Sequence, residues 1–577
     1  MSSRPARSDR AAASARNLGP GPLHPAMARA KDLGPAPPPL PDAGPRDFSA
    51  AEPATAGRDR RWLLLTALPL TAILATALFF RFWQLAAVGF NGDEAVYTGT
   101  AASLAGNHAL STLFPVFRAH PLLFQTLLSV VLRIHETDWT ARAFAAAIGV
   151  AAVAMTFLLG RRLYGRGAGL LAALLIAVMP YHVIVSRQVL LDGLMTLCAT
   201  AALYCVVRYL HDAAPGWLAA GGAMMGAAIL SKETSVILLG GLYAFFALTP
   251  RARMRVRHLL PAAGIMVAEV AVWPVSLRLS GQGQTGQNYL LWQLLRPPNH
   301  GLWFYFTVLP SWIGLAVLAA ALSGLIWLRR EATWRERLLL AWLVIPVIFF
   351  TLWPVKGFEY LLPVAPPLAI LAGRTLARPL PLPSKSLPST SLPSKSLPGG
   401  EWLRSRSWLP GAAMAALASI TVGSLVVSTW SHIEPSASTS FLAGSGGLNG
   451  GRQAGDWIAH NAPRGARLLA IGPSVANVLE FYGHRPVSAL SVSPNRHNRN
   501  PAYVPVPNPD KALRDGVFQY IVWDSYTAAR SSFFANEARR LANKFHGVAV
   551  FTSAVSIRTS SGRGVVEPVI VIYEVHP

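Results

Sequence analysis

Apolar residues run in long blocks through most of the chain, separated by short polar stretches. Twelve blocks can be marked, at 62–80, 122–134, 143–159, 168–185, 190–209, 217–230, 236–248, 259–277, 303–328, 338–355, 360–376 and 408–430. A membrane-crossing helix needs about 20 mainly apolar residues. The pattern predicts an α-helical polytopic membrane protein of about 11–13 spans, with several blocks, 122–134 among them, shorter than a full crossing. After residue 430 the pattern changes. Short apolar stretches beginning at Arg467, Gln519, Val548 and Pro568 read as strands, with helical segments at 454–461 and 532–545 between them and a further helix at 474–483. This alternation predicts a small α/β domain over 431–577.

Composition agrees: 52% of the 577 residues are hydrophobic and 14% charged. The net charge of +24 could suggest nucleic acid, but its placement excludes that reading. Arginines cluster in the short loops between apolar blocks, at Arg58/Arg60/Arg61, Arg161/Arg162/Arg166, Arg251/Arg253/Arg255/Arg257 and Arg329/Arg330/Arg335/Arg337. This is the bias that orients loops toward the cytoplasmic leaflet. It predicts a multi-pass membrane protein with a cytoplasmic N-terminus and an extracytoplasmic C-terminal domain. Residues 1–61, rich in Pro, Ala and Arg, read as a disordered tail. Residues 62–378 read as the membrane domain and 379–407 as a Pro/Ser-rich linker with a Leu-Pro-Ser repeat; 408–430 is the last span. One count stays open: two apolar blocks lie between Asp93 and Arg161, where the loop charges require an odd number of crossings. The two cysteines, Cys198 and Cys205, share one block. Seven residues apart on a helix they stand about 10 Å apart, too far for a disulfide.

The chemistry concentrates at polar edges assigned to the outer face. Asn91-Gly92-Asp93-Glu94 places two carboxylates just past the first span, where charge beside hydrocarbon is costly. They suit a general base and its partner. Asp93 as a helix cap, after an Asn-Gly turn, explains them equally well. Arg187 and Asp192 frame the next outer edge. A guanidinium there suits a phosphate, although snorkelling also accounts for it. His120-Pro121, Ser231-Lys232-Glu233 and Lys356-Gly-Phe-Glu-Tyr360 add cations and polar groups. Glu269 within a span, and Arg296 and His300 in the loop that follows, are weaker candidates.

In chain order the motifs are Asp93-Glu94-Ala-Val-Tyr97, His120-Pro121-Leu-Leu, Arg142, Gly160-Arg-Arg-Leu-Tyr-Gly165, Ser186-Arg187 with Asp192, Leu230-Ser-Lys-Glu233 and Tyr360-Leu-Leu-Pro363. This ordered set, over roughly 62–376, resembles the membrane glycosyltransferases of the protein O-mannosyltransferase and lipid A aminoarabinose transferase type (glycosyltransferase family 39-like, C-type glycosyltransferase fold). The resemblance implies a polyprenyl-phosphate sugar as donor, transferred with inversion to an acceptor hydroxyl on the extracytoplasmic face. It makes Asp93 the base and Glu94 its catalytic partner. Tyr97, His120, Arg187, Asp192, Lys232, Lys356 and Tyr360 become candidates for binding donor phosphate or substrate. No metal site or cofactor is expected, the lipid-linked sugar being the substrate. The chain departs from the family at Leu122, where a second proline is common, and at Glu359, where an arginine is common.

A second functional class fits the same residues: a lipid or solute transporter whose carboxylates couple protons or cations. The chain lacks the internal repeat that transporters often carry. A catalytically silent anchor for the C-terminal domain is the third reading.

Overall fold

The computed structural model describes residues 60–117, 120–250, 252, 254–327, 333–377, 409–434, 446–558 and 564–576. The expected tail and the linker repeat lie outside the described residues. The membrane part comprises α1 (Arg60–Phe82), α2 (Gly92–Ala105), α3 (His108–Ser111), α4 (Leu123–Leu132), α5 (Asp138–Tyr164), α6 (Arg166–Val178), α7 (Pro180–Ser186), α8 (Leu191–Asp212) and α9 (Pro215–Ser231). It continues through α10 (Ile237–Leu248), α11 (Val256–Leu279), α12 (Gly283–Leu295), α13 (Phe304–Ile313), α14 (Leu315–Trp327), α15 (Trp334–Leu352), α16 (Ala365–Leu376) and α17 (Leu409–Ile433).

By length and composition, four described helices can each cross a bilayer, and up to six spans arise if each bent pair is one. The bent pairs are α6 with α7, at 60°, and α13 with α14, at 100°. Fewer described helices therefore qualify than the apolar blocks predicted, in part because α4, α9, α10 and α16 are each under 18 residues. Block 122–134 becomes the 10-residue α4, which rises about 15 Å and falls short of a hydrocarbon core of about 30 Å. Between Asp93 and Arg161, α5 is the one described helix long and apolar enough to cross a bilayer. The α5–α6 corner depends on glycine: a Cβ on Gly169 would stand 2.7 Å from the Arg161 backbone nitrogen. The two helices meet backbone to backbone there.

Beyond α17 the chain forms a mixed sheet flanked by helices. Its elements are α18 (Gly451–Asn461), β1 (Leu468–Ala470), α19 (Pro473–Gly483), β2 (Val487–Ala489), α20 (Pro509–Arg514), β3 (Tyr520–Asp524), α21 (Ser525–Arg530), α22 (Ser532–Lys544), β4 (Val548–Arg558) and β5 (Gly564–Glu574). The strand order is β2-β1-β3-β5-β4, with β1 parallel to β2 and β3, and β5 antiparallel to β3 and β4. The strands beginning near Arg467, Gln519, Val548 and Pro568 form as their apolar stretches predicted. Strand β2 went unread because three residues, Val487-Ser-Ala489, are too short to show alternation. Both cysteines are free and buried.

The C-terminal domain seats directly on α2. The Tyr482 hydroxyl accepts from the Phe90 backbone nitrogen at 2.9 Å and donates to Asp138 at 2.6 Å. Arg452 holds the same Asp138 carboxylate at 2.5 Å. A Cβ on Gly92 would lie 2.8 Å from the Ser474 carbonyl oxygen, so only glycine lets α2 and α19 approach this closely.

Candidate active site

The first turn of α2 sets the geometry of the site. Asn91 is the cap: its side-chain oxygen accepts from the Asp93 and Glu94 backbone nitrogens, each at 3.0 Å. Glu94 completes a capping box by accepting from the Asn91 nitrogen at 3.0 Å. Asp93 is therefore not the cap; the helix begins two residues earlier than that reading supposed. Glu94 also parts from its expected place beside the base. Its buried carboxylate takes Nε and Nη2 of Arg142 at 2.7 and 2.6 Å, and the Val189 backbone nitrogen at 3.1 Å. Each of its oxygens accepts from two donors, and it faces the protein interior. Successive helix residues point about 100° apart, so Asp93 turns the other way.

Asp93 opens into a polar cavity of about 210 Å³. Tyr97, His120, Lys232, Arg296, Lys356 and Tyr360 line the same cavity, bringing together residues as much as 267 positions apart in sequence. No hydrogen bond or ion pair engages the Asp93 carboxylate among the described residues. Its side chain is exposed through the cavity, yet the surrounding protein still strips water from around it. Burial raises its carboxyl above the ordinary aspartate value and Glu359 adds to the rise, while Lys232, His120 and Arg296 oppose it.

The cations are themselves held in place. Lys232 donates to both Asp192 oxygens at 2.9 and 2.8 Å, lies 3.5 Å from Glu359 and stands 4.4 Å above the Tyr360 ring. Asp192 thus acts from behind the cavity wall, on Lys232. Glu359, standing where the family commonly has a cation, becomes the second partner of that lysine. His120 shares Nδ1 with Glu233 at 2.9 Å, and its Nε2 meets the Tyr289 hydroxyl at 2.9 Å. Gln293 donates to that hydroxyl at 2.6 Å. The Lys356 ammonium donates to the Trp353 carbonyl at 2.8 Å, and Arg296 stacks over Trp292 at 4.6 Å.

Three expected residues lie elsewhere. Arg187 donates to the Phe80 and Trp83 carbonyls, both at 2.7 Å, and closes the end of α1. Glu269 presses against Gly226 of α9, where a Cβ would stand 2.3 Å from a Glu269 carboxylate oxygen. His300 stacks on Phe304 at 4.1 Å and does not line the cavity.

A family model described as dolichyl-phosphate-mannose-protein mannosyltransferase matches residues 119–277. No curated protein sequence matches the chain. Among solved structures, the fold is similar to that of ArnT from Cupriavidus metallidurans bound to undecaprenyl phosphate: 17% identity, TM-score 0.58, covering 89% of this chain and 98% of that one. It is also similar to the oligosaccharyltransferase AglB from Archaeoglobus fulgidus in complex with an inhibitory peptide and a dolichol-phosphate, at 13% identity and TM-score 0.52, covering 88% and 74%. The chain has the C-type glycosyltransferase fold.

The family-model segment contains His120, Lys232 and Glu233 but neither Asp93 nor the Tyr360 turn. Sequence reasoning missed Tyr289, Gln293, Asn299, Asn500 and Tyr503, all on the cavity wall. Tyr289 and Gln293 are one helical turn apart on the polar edge of α12, a signal that an otherwise ambiguous loop concealed. Asn500 and Tyr503 come from the C-terminal domain, and no local pattern links them to a membrane helix.

Proposed function

We propose that the chain transfers a sugar from a polyprenyl-phosphate sugar to an acceptor hydroxyl at the extracytoplasmic face of a bacterial plasma membrane, with inversion. The observation that carries this reading is a pair of cavities sharing one wall. Tyr289 lines the polar cavity of Asp93 and also an adjoining cavity of about 390 Å³ between α11 and α12, where Trp273, Leu277 and Leu290 present apolar surface. A lipid-linked phosphate needs both environments at once: hydrocarbon for the chain and cations for its charge.

In the proposed reaction Asp93 takes the proton of the acceptor hydroxyl. The acceptor oxygen bonds to the anomeric carbon as the bond from that carbon to the phosphate oxygen breaks. The electron pair leaves with the phosphate, where Lys232, His120 and Arg296 offset the gathering charge. Attack opposite the leaving group inverts the anomeric centre. The carboxylates Asp192, Glu359 and Glu233 keep the cations oriented between turnovers. The scheme uses no metal ion.

Asp93→Asn keeps the shape of the side chain and removes the base. In membranes supplied with a labelled polyprenyl-phosphate sugar, transfer should fall by at least about 100-fold, the lower range for a positioned general base. Retained transfer in a folded Asp93→Asn protein would overturn the assignment. Solute movement by purified protein in vesicles, without any covalent transfer, would favour the transporter instead.

A further inference from the structure

The C-terminal domain brings a second cavity to the same turn of α2. From β1 the chain passes through α19 to β2 on one side, then returns through α20 to β3 on the other. The winding therefore reverses between β1 and β3. Open α/β sheets bind ligands in the crevice beyond the carboxyl ends of strands at such a point. Here the crevice holds a cavity of about 80 Å³. Gly472 after β1, Ser491 after β2, and Thr527 and Arg530 after β3 line it, together with Ser474 and with Gly92 of α2.

Several features fit this cavity to an anion. None of the described residues lining it is acidic, while four carry hydroxyls and one a guanidinium. Arg530 is exposed to solvent and lies within electrostatic range of Asp93. Gly472 keeps the floor open: a Cβ there would stand 2.7 Å from Thr527 Cγ2. Gly92 immediately precedes Asp93, so the crevice and the carboxylate share one peptide unit.

We infer that this crevice is an acceptor subsite, taking a phosphate or carboxylate group of the molecule whose hydroxyl reaches Asp93. The inference rests on the transferase reading for the word acceptor; the anion site itself does not. The lipid phosphate of the donor occupies the other cavity, on the far side of α2 among Lys232, His120 and Arg296. A guanidinium with neighbouring hydroxyls holds either anion through charge-assisted hydrogen bonds. The C-terminal domain thereby selects acceptors by charge, and the membrane domain selects the donor.

Full-length protein in phosphatidylcholine nanodiscs, titrated separately with inorganic phosphate and with acetate and followed by calorimetry, tests this. The protein should bind at least one of them, phosphate in preference if acceptors are phosphorylated and acetate if they are carboxylated. Arg530→Gln should weaken binding by about tenfold or more, and Arg530→Lys should keep part of it, since a lysine retains the charge without the fork. Asp93→Asn should bind at least as tightly, because a nearby negative charge is gone. Thr527→Val, with one hydroxyl lost, serves if Arg530→Gln does not fold. No binding of either anion, or equal affinity in a folded Arg530→Gln protein, overturns the subsite. Anion binding that depends on Arg530, in a protein that transfers no sugar, would leave the anion site standing and remove the transferase reading.

Discussion

Arg142 closes on Glu94 through two parallel hydrogen bonds, Nε to Oε1 at 2.7 Å and Nη2 to Oε2 at 2.6 Å. The same guanidinium also donates to the carbonyls of Leu85, Val88 and Gly89. It thus ties the connection after α1 to the first turn of α2, and it fixes the direction in which Asp93 points. Arg142→Met would strand a buried carboxylate, and breaking such a pair costs about 3–5 kcal/mol. Thermal unfolding should show a clearly lower midpoint. The double variant Arg142→Met with Glu94→Leu should recover part of that loss without recovering transfer, because the carbonyls and the cap remain unserved. A double variant with full activity would show that the pair does not position Asp93.

Lys232 offers a sharper separation of folding from chemistry. It is 3% exposed, between Asp192 and Glu359. Lys232→Met leaves two carboxylates without their cation and should destabilise the protein by about 3–5 kcal/mol. Adding Asp192→Leu should restore much of the stability but none of the donor binding. Binding of labelled polyprenyl phosphate at wild-type affinity by this double variant would remove Lys232 from the phosphate site.

The pH dependence of transfer should carry the mark of Asp93. Its carboxyl sits above the ordinary range because of burial, reinforced by Glu359. A base works only when deprotonated. Rates should therefore fall tenfold per pH unit on an acid limb whose midpoint lies above the unperturbed aspartate value of about 3.9. Neutralising its neighbour with Glu359→Gln should move that midpoint down. An acid limb that Glu359→Gln leaves in place would assign it to another group.

Asp524 supplies a stability switch within the C-terminal domain. It caps α21 by accepting from the Thr527 backbone nitrogen at 2.6 Å, and its second oxygen is buried without a hydrogen-bond partner among the described residues. Burial pushes its carboxyl up to about 6. The folded state then holds its proton more tightly than the unfolded chain. Stability from this group is full below about pH 4 and is lost as pH rises toward about 6. The loss amounts to about 3 kcal/mol, as an order of magnitude. Asp524→Asn keeps the cap and removes the buried charge. Hydrogen exchange of β3 amides should show greater protection than wild type at pH 7 and little difference at pH 4. Equal protection at both pH values would refute it.

Much of the fold was legible because hydrophobicity and turn chemistry are local. Long apolar blocks became helices, and the stretches near Arg467, Gln519, Val548 and Pro568 became strands. The motif order marked Asp93, His120, Lys232 and Tyr360 as one set before any contact was visible. Glu94 shows the limit. Adjacent carboxylates look alike in sequence, yet one helical step sends them to opposite environments. Arg187 shows it again: an arginine at a membrane edge reads as a phosphate ligand until its donors are seen on the Phe80 and Trp83 carbonyls. The short α4 could not be told from a span by composition alone, since apolar content reports burial or lipid contact equally.

The sequence by itself determined that the chain is a multi-pass helical protein with a C-terminal α/β domain, and which polar motifs stand at its membrane edges. Those properties follow from residue type and spacing along a few turns of backbone. The tertiary structure alone decided that Asp93 faces a cavity while Glu94 faces Arg142, that Asp192 serves Lys232 from behind, and that Ser491, Asn500, Tyr503, Thr527 and Arg530 come to the start of α2 from far along the chain. Such pairings depend on which helices and strands pack together, and packing is a sum over contacts between distant residues that no local pattern contains.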